Sequence, residues 1–191
     1  MTTVVWGSGG LSRSEIHTFV LDERSGQLRR AGSPFSLPPP PSPAAAPAAD
    51  PVVGRVLPPV GWISVHPSGS HIFAADKTHW PGSRCPGSGC IRVFELDQRT
   101  GRPTAEVGTP QSSEGAGATH LAVTDRFVLV ANYVGGTVAS LPILAGGAGG
   151  VGPAVSVHVH PAGGAGKHAR QDMAHPHGVT LDPKSPTAQR K

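Results

Sequence analysis

Thr119 to Gly136 reads THLAVTDRFVLVANYVGG, and the fold turns on this stretch. Leu121, Val123, Phe127, Val128, Leu129 and Val130 are apolar and mostly β-branched or aromatic, and Thr124-Asp125 interrupts them where a tight turn is needed. Gly135-Gly136 then allows a second turn before the apolar run Thr137 to Ile143. The spacing predicts a hairpin that continues into a further strand.

The same phrase recurs along the chain. Trp62 to Asp76, WISVHPSGSHIFAAD, is strand, Pro-Ser-Gly turn and strand, and His177 to Pro183, HGVTLDP, begins a third copy with a strand at Gly178 to Leu181. Val65, Val123 and Leu181 follow one another at intervals of 58 residues. A second phrase alternates with the first. The strand Glu15 to Leu21 runs into the turn Asp22 to Gly26, and the strand Ile91 to Leu96 runs into Asp97 to Gly101, so LDERSG and LDQRTG are near-identical units. Val138 to Leu144, followed by the Gly-rich turn Ala145 to Gly150, is a weaker third version. About four short strands per period is the pattern of a β-propeller blade, whose sheet cannot bury both faces alone and must stack on its neighbours. The expected fold class is therefore all-β, a β-propeller of about three four-stranded blades; a plain β-sandwich with similar turns is the alternative.

Composition sets outer limits. Pro (21) and Gly (26) together make about a quarter of the 191 residues, so part of the chain is expected to be loop or disordered. Leu37 to Pro59 holds nine of the prolines and a run of alanines, which favours extended polyproline conformations over a packed core. We read residues 1–36 as first-blade strands, 37–59 as a disordered insertion, 60–183 as blades and 184–191 as a disordered polar tail. A proline-rich ligand for a partner domain is the sharper reading of the insertion, and its lack of close basic flanks argues against it.

Net charge is +4, but Lys and Arg are scattered singly rather than gathered in a stripe, which argues against a nucleic-acid partner. No stretch approaches the ~20 apolar residues of a membrane helix. Val4-Val5-Trp6 follows no basic leader or long apolar segment, so a cytoplasmic location is expected. Cys85 and Cys90 form a C-x4-C pair in a Pro/Gly-rich loop near His79, too few ligands for a zinc site, and are expected to be a reduced, incidental pair.

With the hairpins placed, ANYVGG after HLAVTDRFVLV, followed by a Gly-rich loop and then RQDMAHPHGVTLDP, resembles the lactonase family of seven-bladed propellers. That family includes propeller-type 6-phosphogluconolactonases and fungal 3-carboxy-cis,cis-muconate lactonizing enzymes. ANY-x-GG and RQ-x(3)-HPHG are the specific parts of the likeness. It implies a hydrolase that opens a sugar lactone, 6-phosphogluconolactone first, with a lactone-forming cycloisomerase or an inactive propeller scaffold as alternatives. It implies a small phosphorylated or carboxylated lactone as partner and no cofactor. A seven-bladed ring takes some 300 residues at roughly 45 per blade, so a truncated version of that ring is expected. Where the family tends to carry a glutamate after its first inner hairpin, this chain has Asp76-Lys77.

Opening a lactone requires a base for water, donors for the oxyanion and positive charge for a substrate anion. Five of the ten histidines, His158, His160, His168, His175 and His177, lie between Val157 and Gly178 together with Lys167 and Arg170. The catalytic candidates are His177 as base or orienting residue, His175 second, and Arg170 as anion clamp. Asn132, Tyr133 and Gln171 are the substrate-binding candidates. The opening hairpin is expected to place the loop Ala145 to Pro176 at the channel. His158 and His160, two apart on one strand face, have no suitably spaced third ligand, and no metal is expected. Gly147 to Gly152 satisfies G-x-G-x-x-G, but strand-like Pro153 to Val157 follows where a dinucleotide site needs a helix.

Overall fold

The turns Asp22 to Gly26 and Asp97 to Gly101 fold alike, which gives the repeated phrase its physical meaning. Asp22 Oδ1 accepts the backbone N–H of Arg24 and Ser25 at 2.9 and 3.1 Å. Asp97 Oδ1 accepts those of Arg99 and Thr100 at 3.1 and 2.7 Å. Each turn closes on a glycine with positive φ, Gly26 at 71° and Gly101 at 66°, whose N–H returns to the aspartate carbonyl at 2.7 Å. An aspartate that caps its own turn, followed by a residue free to enter left-handed space, is a local device and repeats wherever its sequence does.

The computed structural model describes residues 3–9, 15–38, 60–79, 83–161 and 171–182. Three antiparallel sheets follow one another along the chain. The first contains β1 (Thr3–Gly9) paired with β2 (Glu15–Leu21), whose other edge carries β3 (Leu28–Arg30) and β4 (Phe35–Ser36). The second runs β5 (Val60–Val65), β6 (His71–Asp76), β7 (Cys90–Leu96), β8 (Pro103–Ser112). The third runs β9 (Ala118–Val123), β10 (Phe127–Asn132), β11 (Thr137–Pro142), β12 (Ser156–Val159).

The shared Asp turn fixes which strands correspond. Because it leaves β2 in the first sheet and β7 in the second, β1 corresponds to β6, and β3 with β4 form one interrupted counterpart of β8. The position that β5 and β9 fill at the inner edge of their sheets therefore holds no strand in the first sheet among the described residues.

Blade stacking forms the core. All six residues of β6 are buried, because alternate side chains serve different neighbours. Ile72 and Ala74 join Ile16, Leu37, Phe94 and Leu96 in the cluster between the first and second sheets. Phe73 and Ala75 join Leu121, Val123, Val128, Val130 and Leu141 between the second and third. Each fully buried large apolar side chain contributes roughly 1.5–3 kcal/mol of transfer free energy, so both junctions are strongly held.

One charge sits inside the first junction. Arg92, on β7 beside Phe94, is 2 % exposed. Its Nε and one terminal nitrogen donate to the two carboxylate oxygens of Glu106 at 2.7 and 2.8 Å, and the other terminal nitrogen donates to Asp76 at 3.5 Å. The guanidinium lies 5.3 Å from the Phe94 ring centre. Asp76 also accepts from Thr78 N and Oγ1 at 3.0 and 2.6 Å, so this carboxylate is a structural group.

Two sequence expectations are corrected here. Cys85 and Cys90 are joined in a disulfide instead of forming a reduced pair. Ser88 N–H donates to Cys85 O (3.0 Å) in a turn that brings the two Cα atoms to 5.7 Å, within bridging range, and spacing alone does not reveal such a turn. The strand expected at Gly178 to Leu181 belongs to none of the three sheets among the described residues. The insertion residues 39–59 and the tail 183–191 lie outside the described residues. Among the described residues no helix is long and apolar enough to cross a membrane.

Candidate functional site

The ANYVGG phrase works as a clamp at one rim of the third sheet. Tyr133 N donates to Gly117 O, and Val134 N and Gly135 N both donate to Ala116 O, at 2.9–3.1 Å. Asn132 is fully buried and gives its amide to Ser113 O (2.6 Å) and Thr137 Oγ1 (2.9 Å), while Thr137 donates to Glu114 O (2.9 Å). The loop Ser112 to Gly117 is thereby fastened to the β10–β11 turn. Close approach requires glycine here: a Cβ on Gly115 would stand 2.2 Å from Thr137 Oγ1.

The same turn receives the histidine segment. Gly136, at φ 65°, leaves room for Met173 and Ala174, which a Cβ there would meet at 2.8 and 3.2 Å. His175 then lies flat on Tyr133, ring centres 4.4 Å apart and planes at 15°, and His177 meets the same ring edge-on at 5.5 Å. His175 Nδ1 is 2.8 Å from Tyr133 O and its Nε2 is 3.0 Å from Asp172 Oδ1. Both partners are acceptors, and a neutral imidazole has only one N–H, so the ring satisfies both only as imidazolium. The Tyr133 carbonyl, and after it the Asp172 carboxylate, hold the His175 pKa above its ordinary value.

A third histidine belongs to this group. His120, on β9, accepts the Val179 N–H at Nδ1 (3.4 Å). A backbone N–H only donates, so the His120 proton sits on Nε2, and the ring is a neutral donor. Burial, and secondly the neighbouring His177, push its pKa down and keep it neutral. Its ring packs on Trp62 of β5, centres 4.0 Å apart. The indole is fixed in turn: Trp62 Nε1 donates to Ser64 Oγ (3.1 Å), which donates to Leu121 O (3.0 Å).

The rim thus gathers three chemical types. His177 is exposed, and no hydrogen bond occupies its ring nitrogens among the described residues, which suits a base. His120 offers a neutral N–H, and His175 offers positive charge. Of the sequence candidates, His175, His177 and Tyr133 come together. Asn132 is turned inward as a clamp, Gln171 is exposed with no hydrogen bond to the rings among the described residues, and Arg170 lies outside the described residues. His120 was not singled out from sequence. The signal was present: it stands 58 residues after Trp62, the interval that relates Val65 to Val123.

The Gly-rich part of the expected site loop lies elsewhere. Ala145 to Gly150 connects β11 to β12 at the opposite rim, where Gly147 backs onto the His71 ring. It leaves β11 at Pro142, and β11 runs away from the Tyr133 turn, so a hairpin connection there cannot reach the histidines. At the end of β12, the rings of His158 and the following His160 meet edge-on at 5.0 Å. Among the described residues no group of three His, Cys, Asp or Glu is placed to hold a metal.

Comparison with known proteins follows the same lines. The profile of the family described as "Lactonase, 7-bladed beta-propeller" matches residues 50–188. No curated protein sequence matches the chain. Among solved structures, a candidate 6-phosphogluconolactonase of Bacteroides uniformis ATCC 8492 is 21 % identical with a TM-score of 0.64, over 91 % of this chain and 42 % of its own. A second, from Bacteroides fragilis NCTC 9343, is 20 % identical with a TM-score of 0.64, over 91 % and 40 %. The periplasmic gluconolactonase of Pseudomonas aeruginosa is 20 % identical with a TM-score of 0.63, over 95 % and 44 %. These likenesses establish the fold, and the chain spans less than half the length of each of these structures. With three blade sheets stacked in sequence and the family profile covering most of its length, this chain belongs to the lactonase family of seven-bladed β-propellers.

Proposed function

We propose that the rim of His120, His175 and His177 hydrolyses a sugar lactone, with 6-phosphogluconolactone as the preferred substrate. The observation that supports this reading is the contrast between the three rings: one without a hydrogen bond among the described residues, one met by a backbone donor, one held between two acceptors. His177 takes a proton from water as the oxygen attacks the lactone carbonyl. The His120 Nε2–H stabilises the oxyanion of the tetrahedral adduct, a task for a neutral donor whose pKa burial has lowered. Collapse breaks the ring C–O bond, and the imidazolium of His177 returns its proton to the leaving oxygen, giving the open-chain acid. His175, with Arg170 on the same segment, supplies positive charge for a phosphate.

Substrate choice is tested by comparing 6-phosphogluconolactone with unphosphorylated gluconolactone. Arg170→Ala is expected to raise KM for the phosphorylated lactone tenfold or more and to leave the other within about twofold. Equal effects on both substrates would remove Arg170 as the phosphate clamp.

The cytoplasmic expectation meets a contrary indication in the Cys85–Cys90 disulfide, since such bonds persist mainly in oxidising compartments. Recovery of the native protein with both thiols free would favour the cytoplasm, where a phosphorylated lactone is found.

A further inference from the structure

We infer that Trp62 is the stacking platform of the substrate site, taking the apolar C–H face of a pyranose-type lactone ring; the inference rests on the lactonase reading above. Trp62 is 42 % exposed, on an inner-edge strand, in a chain with only three tryptophans. Its one polar atom is already committed to Ser64, so what it presents outward is apolar ring alone. The Ser64 bond to Leu121 O ties the indole to the neighbouring sheet, and the His120 ring supports it at 4.0 Å. A large aromatic held this rigidly loses little side-chain freedom when a ligand arrives, which is the condition for efficient stacking.

The neighbours select the kind of ligand. A planar apolar wall beside a neutral N–H donor at His120 suits a ring with one C–H face and a polar rim. A sugar lactone has both. A purely apolar ligand would leave the His120 donor unpaired, at a cost in affinity. The repeat places Trp62 and His120 at equivalent positions of successive blades, 58 residues apart. One blade therefore supplies the platform and the next supplies the polar contact.

Two measurements on the full chain test the platform, using gluconolactone as substrate and 1,5-anhydroglucitol, a closed pyranose ring with no carbonyl to open, as a non-reacting probe. Trp62→Ala is expected to raise KM for gluconolactone roughly tenfold with kcat within about threefold, and Trp62→Phe to restore KM to within about threefold of native. 1,5-Anhydroglucitol is expected to quench native tryptophan emission, with the quench lost in Trp62→Phe. Turnover with native KM in Trp62→Ala overturns the platform and leaves the hydrolase standing. No turnover by the native chain, together with a Trp62-dependent quench, upholds the platform and rejects the hydrolase. Neither turnover nor quench overturns both.

Discussion

The imidazole of His175 lies parallel to the phenol ring of Tyr133 at 4.4 Å while its Nδ1 points at the Tyr133 carbonyl from 2.8 Å. With Asp172 on the other nitrogen, both ring nitrogens face acceptors, an arrangement that favours the cation. Its folded pKa lies above the unfolded value of 6.5, so its stabilising contribution is complete below that pH and is lost as pH rises through the folded pKa. An NMR titration should place His175 above a free histidine, and Asp172→Asn should lower it. No response to Asp172→Asn would mean that the carboxylate does not hold the proton.

The opposite rim should respond to acid in the other direction. His66 Nδ1 accepts the Ser68 N–H (3.2 Å), so its Nε2–H faces the Asp125 carbonyl at 3.4 Å and latches the second blade to the third. His71, linked to Ser70 at 2.7 Å, is packed against Gly147. Burial first, with the nearby His66 outweighed by Glu95, pushes the His71 pKa down from 6.5. The unfolded chain therefore takes up the proton first, and stability falls as pH drops below 6.5 towards the folded pKa. Thermal melts from pH 7 to about 5 should show this loss, and His71→Gln should flatten it. An unchanged slope in His71→Gln would exclude His71 as its source.

Arg92 should be among the most sensitive positions. Arg92→Ala strands Glu106 and Asp76, one partly and one fully buried, without their cation. The expected loss is about 3–5 kcal/mol, read as a lower urea midpoint. A loss under about 1 kcal/mol would show that water reaches the two carboxylates and screens them.

The disulfide makes a smaller contribution. It closes a short loop, with a sequence separation of 5, for which the chain-entropy estimate is about 2 kcal/mol. Cys85→Ser/Cys90→Ser should lower stability by about that amount, and reductant should have no further effect on the variant. Equal melting of native protein with and without reductant would contradict a structural bond.

The parts of this fold that could be read from sequence are those built by local chemistry. The Asp turns, the hairpin around Thr124 and the alternation of inner strands all depend on residues a few positions apart. Features that depend on distant partners were hidden. The Cys85–Cys90 bond needed the Ser88 turn, and the buried Arg92 needed Glu106 from another strand. In the candidate site, both histidines of HPHG meet the Tyr133 ring, but the phrase itself does not give side-chain direction. Asn132 and Tyr133 are adjacent, yet one turns into the clamp and the other carries the histidine stack. His120 was masked by its setting in an alternating apolar strand, and only its interval from Trp62 marked it.

The most direct test of the central claim is the rate of lactone opening by the native chain and by His177→Ala, measured on 6-phosphogluconolactone above the spontaneous background. Catalysis by the native chain with a 10²–10⁴-fold lower kcat in His177→Ala is the predicted result, the range expected for loss of a general base. A native rate equal to background, or full activity in His177→Ala, would contradict it.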